Sequence, residues 1–302
     1  MKKNLLALST LDKKDFDYLL KQAFQLKERQ KKNIPASSLA GKTIGLIFEK
    51  PSTRTRISFE VATSQLGGTS LFINSADTQM SRSEPIKDTA RVLSRYLDCL
   101  VIRTYAQEII EEFAKFSTIP VINALTDLYH PCQVLSDLMT VVEYKKGYKG
   151  LKIAWVGDGN NVANSWINAA GVLGFDLVLA CPEKYYPDPE IIKNALATAT
   201  GSIKITSDPV QAVSNADVVY TDVWASMGQN ENFKQKKHLF KPFQLNSKLI
   251  SLADDDAIIM HCLPAHRGEE ITDEVLEGKQ SVVWDQSENK LHMHKAVFEM
   301  LL

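Results

Sequence analysis

The chain has 302 residues, with 35 basic and 36 acidic side chains and a formal net charge of −1. A single hydrophobic core stops growing at about 250–300 residues, so this length predicts two lobes rather than one. The balanced charge argues against a nucleic-acid-binding surface, although it leaves room for a site for a small anion. Four widely spaced cysteines predict free thiols in a reducing compartment.

The amino terminus gives no sign of a targeting segment. The apolar stretch Leu5–Leu8 is shorter than the hydrophobic region of a signal peptide, and charged residues follow from Asp12 onwards. The chain contains no run of the ~20 apolar residues that a membrane-spanning helix needs. We therefore expect a cytoplasmic protein with neither a membrane nor a nucleic acid as its partner.

Strand-like apolar runs alternate with helical patterns along the chain, which is typical of parallel sheets covered by helices. The predicted fold is therefore α/β, with two lobes that each contain a parallel sheet flanked by helices. The predicted strands are Thr43–Phe48, Ser70–Ile73, Cys99–Arg103, Val121–Ala124, Leu151–Val156, Leu177–Ala180, Ser202–Thr206, Val218–Thr221, Ala257–His261 and Ser281–Val283.

A long predicted helix, Val134–Tyr144, precedes a basic stretch that glycines interrupt, and we place the boundary between the lobes near it. The closing segment, Asp285–Leu302, is predicted to form an amphipathic helix.

The most informative stretch follows the first predicted strand. Ser52, Thr53, Arg54 and Thr55 place hydroxyls and a guanidinium at the predicted start of a helix. Free backbone N–H groups in a first helical turn, together with an arginine, form a site for a phosphate. A basic helix start whose arginines face water is the alternative. The predicted buried side of this helix carries Ile57, Phe59, Val61, Ala62 and Leu66.

Polar residues also follow later predicted strands, at the carboxyl ends where open α/β sheets bind ligands. Arg103 ends one strand, and His130 and Gln133 begin the helix after another, where their side chains suit a neutral carbonyl or amide group. Asp222 supplies a negative charge for an ammonium group. A solvated arginine and a helix-capping aspartate are the plainer interpretations of Arg103 and Asp222.

Two of these clusters raise the question of a metal or a cofactor. His130 and Cys132 are possible zinc ligands, but no matching pair lies elsewhere at ligand spacing, so we expect no metal. Residues 157–165 are similar to a dinucleotide-binding loop, yet Val162 replaces its third glycine and no clear ribose-binding acid follows. We expect no cofactor, with a nicotinamide as the alternative. Asn160 and Asn161 at this helix start would instead bind a carboxylate.

Three motifs in this order resemble the aspartate and ornithine carbamoyltransferase family: Ser-Thr-Arg-Thr-Arg at 52–56, His-Pro-x-Gln at 130–133 and His-x-Leu-Pro at 261–264. The resemblance runs along nearly the whole chain. Cys262, the pair Ser226 and Met227, and Gln79 point to the ornithine branch. The resemblance implies transfer of a carbamoyl group from carbamoyl phosphate to the δ-amine of L-ornithine, which gives L-citrulline and phosphate in arginine metabolism.

The same resemblance implies a domain organisation and an assembly. Residues 1–134 are expected to bind carbamoyl phosphate and residues 135–285 to bind ornithine, while residues 286–302 form a C-terminal helix that returns to the first lobe. The resemblance also implies a homotrimer in which Gln79 is donated across a subunit border.

The site residues follow from the resemblance as well. Those expected to hold carbamoyl phosphate are Ser52, Thr53, Arg54, Thr55, Gln79, Arg103, His130, Gln133, Cys262, Leu263 and Lys290. Those expected to hold ornithine are Asn161, Asp222, Ser226 and Met227. The expected catalytic residues are Arg103, His130 and Cys262.

One residue departs from the pattern of the family, which usually has arginine where this chain has Lys290. Lysine keeps the positive charge but loses the bidentate fork of a guanidinium, so this departure predicts weaker binding of carbamoyl phosphate.

Two alternative functions share some of these motifs. A carbamoyltransferase for N-acetylornithine, N-succinylornithine or putrescine would keep the motifs of the first lobe and change those of the second. A non-catalytic binder of a phosphate metabolite would keep the phosphate site without needing His130, Gln133 and Cys262 together.

Overall fold

The computed structural model describes residues 3–74, 78–79, 83–224 and 233–302. The chain divides into two compact units. Unit 1 comprises Met1–Met139 and Glu288–Leu302, and unit 2 comprises Thr140–Ser287. None of the described helices combines the length and the apolar character that crossing a membrane requires.

Unit 1 contains one parallel sheet. Its strands are β1 (Thr43–Phe48), β2 (Thr69–Asn74), β3 (Cys99–Arg103) and β4 (Val121–Leu125). Their order in the sheet is β2–β1–β3–β4, and all neighbours are parallel. The chain moves outward from β1 to β2 and then returns to the other side of β1. The boundary between β1 and β3 is therefore a topological switch point, where open α/β sheets bind ligands.

Strands β1, β3 and β4 of this sheet are buried along most of their length, whereas the edge strand β2 is largely exposed. Helices cover the buried strands. They are α1 (Lys13–Lys31), α2 (Arg54–Gln65), α3 (Ile86–Leu93), α4 (Gln107–Phe116) and the first part of α5 (Pro131–Lys145), after a short 3-10 turn at Leu8–Thr10. Ile47 and Ile102 of the sheet pack with Phe113 of α4 in one buried cluster. Burial of each such side chain stabilises the fold by roughly 1.5–3 kcal/mol.

Unit 2 contains a second parallel sheet. Its strands are β5 (Lys152–Val156), β6 (Asp176–Ala180), β7 (Ile203–Thr206), β8 (Val218–Thr221) and β9 (Ile258–His261). Their order is β7–β6–β5–β8–β9, again all parallel. Here the switch point lies between β5 and β8.

The helices of unit 2 follow its strands in the usual alternating order. They are α6 (Asn161–Leu173), α7 (Pro189–Leu196), α8 (Pro209–Val213), α9 (Phe233–Phe240), α10 (Ser247–Ile250) and α11 (Asp273–Leu276), and α12 (Val283–Leu301) starts here and ends in unit 1. Trp155 of β5 stacks on Tyr220 of β8 with ring centroids 5.2 Å apart, and the edge of Trp166 meets the same tyrosine.

The two-lobed α/β fold is confirmed. Apart from shifts of one to three residues in the bounds of elements, three local predictions differ from the structure. The predicted strand at 281–283 is wrong, because Ser281 forms an isolated bridge with Ile259 and Val283 begins α12. Ile57 was expected on the buried side of α2 and is 51% exposed. The closing helix is not simply amphipathic, since every residue from 292 to 298 is buried. Buried polar side chains on this helix therefore need internal partners.

Candidate active site

The turn after β1 lies at the switch point of unit 1. In the parallel register of β1 and β3, Phe48 lies opposite Arg103. The backbone N–H of Glu49 donates to the carbonyl oxygen of Arg103 at 2.9 Å, which holds the chain leaving β1 against the end of β3. The predicted phosphate turn, residues 52–55, and Arg103 therefore share one edge of the sheet.

Helix α2 begins directly after this turn. Thr53 is its N-cap residue, and the side chain of Thr53 makes no capping hydrogen bond. The first backbone N–H groups of α2 consequently keep their capacity to bind an anion, with the positive end of the helix dipole behind them. Thr55 in the first turn is buried, and Ser52 is partly buried.

The two arginines of the motif have different surroundings. The Nε of Arg56 donates to Glu60 at 2.9 Å, and its guanidinium lies 3.5 Å from the centre of the Phe72 ring. Arg54 is partly buried at the first position of α2. Because Arg56 is already held by a carboxylate and a ring, Arg54 is the guanidinium better placed to bind an anion at this turn.

His130 lies immediately before α5 and is only 5% exposed. Burial lowers the pKa of His130 well below its usual value, and the nearby charges of Lys290 and Arg103 lower this pKa further. His130 is therefore neutral at physiological pH. A neutral imidazole carries one N–H donor, which suits a carbonyl oxygen.

Gln133 has a fixed amide orientation. Its oxygen accepts a hydrogen bond from Nζ of Lys290 at 2.8 Å, and its nitrogen donates to a carboxylate oxygen of Asp137 at 2.8 Å. Lys290 is buried, with 4% exposure, so the structure brings it to the predicted carbamoyl site. Sequence reasoning missed Asp137; its spacing of four residues from Gln133 on one predicted helix is the signal that indicates such a pair.

Cys132 lies beside these residues but has a structural role. Its thiol donates to the carbonyl oxygen of Asn123 at 3.3 Å, and burial raises the pKa of Cys132 to about 12. A thiol that stays protonated at neutral pH is neither a nucleophile nor a good metal ligand.

The C-terminal helix contacts α2 just behind the phosphate turn. The His294 ring stacks on Phe59 with centroids 3.6 Å apart, and its Nδ1 lies 3.0 Å from the hydroxyl of Ser58. Ser58 donates its own hydrogen to the carbonyl oxygen of Thr55 at 3.0 Å. His294 must therefore be the donor in its contact with Ser58, which fixes the hydrogen on Nδ1. Burial, and then the charge of Lys290, lower the pKa of His294 well below its usual value.

The predicted site of unit 2 lies at the ends of β5, β8 and β9. Asp222 follows β8 directly and is 7% exposed. One carboxylate oxygen accepts from the Cys262 thiol at 2.9 Å and from the Val223 backbone N–H at 2.8 Å. The other oxygen accepts from the amide nitrogen of Asn160 at 2.7 Å. The switch point between β5 and β8 thus carries a buried and oriented carboxylate.

Asn160 has a role that the sequence prediction missed. Its side-chain oxygen caps α6 by accepting from the N–H groups of Val162 and Ala163, while its nitrogen holds Asp222. Asn160 is thus committed to the protein, which leaves Asn161 at the first position of α6 as the candidate for binding a carboxylate. An asparagine at a predicted N-cap is readable from sequence, but its second partner, 62 residues away, is not.

A compact turn after β9 carries Cys262 and Leu263. Leu263 has a positive φ of 58° and precedes Pro264 through a cis peptide bond. Its backbone N–H donates to Nδ1 of His261 at 2.9 Å, so the hydrogen of this imidazole is on Nε2, which lies 3.0 Å from Glu270. His261 and Glu270 are buried and hold the turn in place.

A second carboxylate, Asp158, is partly buried in the loop between β5 and α6. Burial raises the pKa of Asp158, although the ammonium of Lys236 lies 2.5 Å away and opposes this shift. Gly159 follows, where a Cβ atom would lie 2.4 Å from the backbone nitrogen of Pro187. Only glycine allows the chain to pass this close.

Asp222, His261 and Cys262 also place three possible metal-ligand atoms within 4.8 Å of one another. Each of these groups is used in a hydrogen bond of the protein itself: the thiol donates to Asp222, and the imidazole bonds to Leu263 and Glu270. We therefore interpret these three residues as a hydrogen-bonded network that positions a carboxylate and a thiol.

Three predicted residues remain to be placed. Ser226 and Met227 lie outside the described residues. Gln79 is described and exposed, and its carbonyl oxygen accepts from the Glu84 N–H at 3.1 Å.

The structure contains two α/β units, with a candidate anion-binding turn in one and an oriented carboxylate in the other. Comparison with known proteins gives the family. The carbamoyl-P binding domain of aspartate/ornithine carbamoyltransferase matches residues 3–143, and the Asp/Orn binding domain of the same family matches residues 149–301.

Similar proteins extend this finding over the full length. An ornithine carbamoyltransferase of Geobacter sulfurreducens is 57% identical over 302 residues, which cover 100% of both chains. Among solved structures, ornithine carbamoyltransferase from Pyrococcus furiosus has a TM-score of 0.96 and 50% identity over 99% of this chain and 96% of that one. Anabolic ornithine carbamoyltransferase from Campylobacter jejuni has a TM-score of 0.94 and 41% identity, with 99% of each chain covered. The chain belongs to the aspartate/ornithine carbamoyltransferase family.

Proposed function

We propose that this protein is an ornithine carbamoyltransferase, which transfers the carbamoyl group of carbamoyl phosphate to the δ-amine of L-ornithine and releases L-citrulline and phosphate. One structural observation gives the strongest support for ornithine as the acceptor. Asp222 is a buried carboxylate at the switch point of unit 2, held by Asn160 and Cys262 and suited to an α-ammonium group. The full-length similarity to proteins of this name supports the same reaction.

Unit 1 binds carbamoyl phosphate in this proposal. The phosphate accepts hydrogen bonds from Ser52, Thr53 and Thr55, from the free N–H groups of α2 and from Arg54. Arg103, His130, Gln133 and Lys290 contact the carbamoyl group. Gln133 keeps one amide hydrogen and one lone pair beyond its bonds to Asp137 and Lys290, which is sufficient for such a contact.

Arg103 and His130 assist the chemical step as hydrogen-bond donors. When an amine attacks the carbamoyl carbon, negative charge develops on the carbonyl oxygen, and donors placed in advance stabilise that charge. His130 is suited to this role because its lowered pKa keeps it neutral, so that it donates without bringing a second cation beside Arg103. The bond between the carbamoyl carbon and the phosphate oxygen then breaks, and the phosphate remains in the hydrogen bonds that already hold it.

Unit 2 binds ornithine in this proposal. Asp222 pairs with the α-ammonium group, Asn161 contacts the carboxylate, and Ser226 and Met227 complete the ornithine site. Cys262 and the carbonyl group of Leu263 lie beside the δ-amine. This amine attacks only when it is neutral, although an alkylammonium group has a pKa near ~10 in water, so activity should rise with pH.

We assign the final proton transfer to the leaving phosphate. In the structure the Cys262 thiol donates to Asp222, and a thiol that is used as a donor is protonated. Cys262 therefore orients Asp222 and the amine, while the phosphate accepts the proton that the amine loses when its new bond to carbon forms. No metal or cofactor takes part in this scheme.

The deciding experiment measures carbamoylation of five acceptors in the presence of carbamoyl phosphate, at neutral and alkaline pH. The acceptors are L-ornithine, N-acetyl-L-ornithine, N-succinyl-L-ornithine, putrescine and L-aspartate. We expect citrulline from ornithine alone, at a rate that rises with pH. Turnover of another acceptor would keep the assignment of unit 1 and overturn that of Asp222, and binding of carbamoyl phosphate without any turnover would favour a non-catalytic binder.

We further propose that the enzyme is a cytoplasmic homotrimer in which Gln79 binds the phosphate of a neighbouring subunit. The exposed position of Gln79 in a single chain supports a role across a subunit border. Mixing an inactive Arg103→Ala chain with an inactive Gln79→Ala chain tests this idea. Mixed trimers should regain activity at borders that combine an intact Arg103 with an intact Gln79, and failure of mixed trimers to regain activity would contradict the shared site.

A further inference from the structure

A pocket of about 250 Å³ opens on unit 1 at the far end of α2 from the phosphate turn. Gln65, which ends α2, lines the pocket, whereas Arg54 at the phosphate turn begins this helix. The two are eleven positions apart on the helix, which corresponds to roughly 16 Å. The pocket is therefore distinct from the carbamoyl phosphate site.

Lys295 of α12 is the most buried charged residue of the pocket lining, with 4% exposure. Its Nζ donates to the side-chain oxygen of Gln30 at 2.6 Å. Within the described part of the chain, no carboxylate lies within ion-pair distance of this ammonium group. Glu299 is one helical turn further on and accepts from the hydroxyl of Ser38 at 2.9 Å.

The rest of the lining combines positive charge, amides and apolar surface. Arg29 adds a guanidinium, which also donates to the carbonyl oxygen of Pro35. Asn33 and Gln65 contribute amides, and no acidic side chain lines the pocket. Leu26 and Ile34 provide the apolar part, and Ile34 is 48% exposed although it is a large apolar side chain.

These groups leave a buried charge that is poorly compensated. Burial lowers the pKa of Lys295 to about 8, and Glu299 opposes this shift only in part. His292, one turn earlier on α12, is neutral at physiological pH because burial lowers its pKa to about 4. Lys295 is therefore still mostly charged at neutral pH, and an anion in the pocket would offset the cost of its burial.

We infer that this pocket is a binding site for a small monocarboxylate, whose carboxylate contacts Lys295 and Arg29 and whose aliphatic part packs on Leu26 and Ile34. The pocket lining contains two cations, Lys295 and Arg29, and no acidic side chain, so it favours an anion. The apolar wall favours a molecule that carries a short hydrocarbon chain. Such a ligand stabilises the contact between α12 and the end of α1, since Lys295 and Gln30 belong to these two helices.

Calorimetric titration with butyrate tests this proposal on the intact protein. The titration is run near the pKa of Lys295, about 8, in two buffers that differ in ionisation enthalpy. We expect one butyrate per chain together with uptake of a fraction of a proton, because a bound anion favours the ammonium form of Lys295. 1-Butanol has a similar shape without the charge and should not bind.

Variants separate this pocket from any other carboxylate site. Lys295→Met should weaken butyrate binding by at least about tenfold and abolish the proton uptake. The matched control, Lys193→Met, removes an exposed lysine of α7 and should change neither. Gln30→Glu changes an exposed residue and places an internal carboxylate beside Lys295, so it should also block butyrate without the risk to folding that a core substitution carries.

Three results would overturn the proposal: no butyrate binding to the native protein, unchanged binding in both Lys295→Met and Gln30→Glu, or binding of 1-butanol as tight as that of butyrate. The KM for carbamoyl phosphate, measured on each variant, serves as the check that unit 1 remains folded.

Discussion

At the scale of single residues, Lys290 is the departure from the family pattern that the structure makes most informative. Its ammonium contacts the oxygen of Gln133 at 2.8 Å, so a lysine reaches the proposed carbamoyl site here. A guanidinium would contact Gln133 and the substrate together through its fork. We expect Lys290→Arg to lower the KM for carbamoyl phosphate severalfold, as measured by steady-state kinetics with saturating ornithine.

Lys290→Met is the companion variant. It removes the charge while keeping most of the length of the side chain, and it should raise the same KM by about tenfold or more, because a charged hydrogen bond is worth about 1.5–3 kcal/mol. An unchanged KM in Lys290→Arg would show that the lysine does not act as a substitute for the arginine of the family.

Cys262 gives the second prediction at this scale. Because its thiol donates to Asp222, Cys262→Ser should keep the donor and change kcat by less than about tenfold, whereas Cys262→Ala should raise the KM for ornithine. Loss of a general base typically costs 10²–10⁴-fold in rate. A loss of that size in Cys262→Ser, with an altered pH profile of kcat, would contradict the proposed role of phosphate as proton acceptor.

At the scale of whole elements, α12 fixes the position of α2. His294 donates to Ser58, which in turn donates to Thr55 in the phosphate turn. We expect His294→Leu to raise the KM for carbamoyl phosphate severalfold, with a smaller effect on kcat. His294→Gln retains a donor and should recover part of that loss.

The double variant His294→Leu with Ser58→Ala separates this contact from a general loss of packing. If the two residues act through one hydrogen bond, their effects on KM should not add. Fully additive effects would show that His294 stabilises unit 1 without orienting the phosphate turn.

The elements themselves were largely predictable from the sequence. The strands Thr43–Phe48, Cys99–Arg103 and Val218–Thr221 have the predicted bounds, because each is a short apolar run that polar residues follow at once. Ser281–Val283 is also a short run, with two valines, and the strand prediction failed there because a run of three residues fits the start of a buried helix equally well.

The candidate site was predictable only in its parts. Its residues stand at strand ends and helix starts, where their types indicate a ligand. Their partners were not predictable, because the contacts of Asp222 with Asn160 and Cys262 span 62 and 40 residues of sequence. Such pairs follow from strand order, which the local pattern does not contain. The same reason applies to Lys290 and Gln133, which are 157 residues apart.

At the scale of the whole molecule, buried neutral histidines make stability depend on pH. Burial lowers the pKa of His130, His292 and His294 in the folded state, with that of His292 reaching about 4, whereas an unfolded histidine titrates near ~6.5. Below that pH the unfolded chain binds more protons than the folded one. The stability that these neutral histidines contribute is therefore fully present above about pH 6.5 and is lost as the pH falls towards 4.

Urea unfolding followed by far-ultraviolet circular dichroism measures this effect at pH 7, 6 and 5.5. Each histidine contributes up to ~1.4 kcal/mol per pH unit to the slope of the free energy of unfolding, so the three together contribute up to ~4 kcal/mol per pH unit. His294→Gln removes one of these three titrating groups, so it should reduce the slope by up to ~1.4 kcal/mol per pH unit. A free energy that stays constant from pH 7 to 5.5 would contradict the prediction.

Unit 1 is discontinuous in the chain, since its last part, Glu288–Leu302, is separated from the rest by the whole of unit 2. Phe59 of α2 packs on His294 and Phe298, which the ribosome adds after the whole of unit 2. During synthesis, unit 2 is complete before the core of unit 1 can close. A chain that lacks these residues would therefore keep unit 2 whole, while α2, which begins in the phosphate turn, would lose part of its packing.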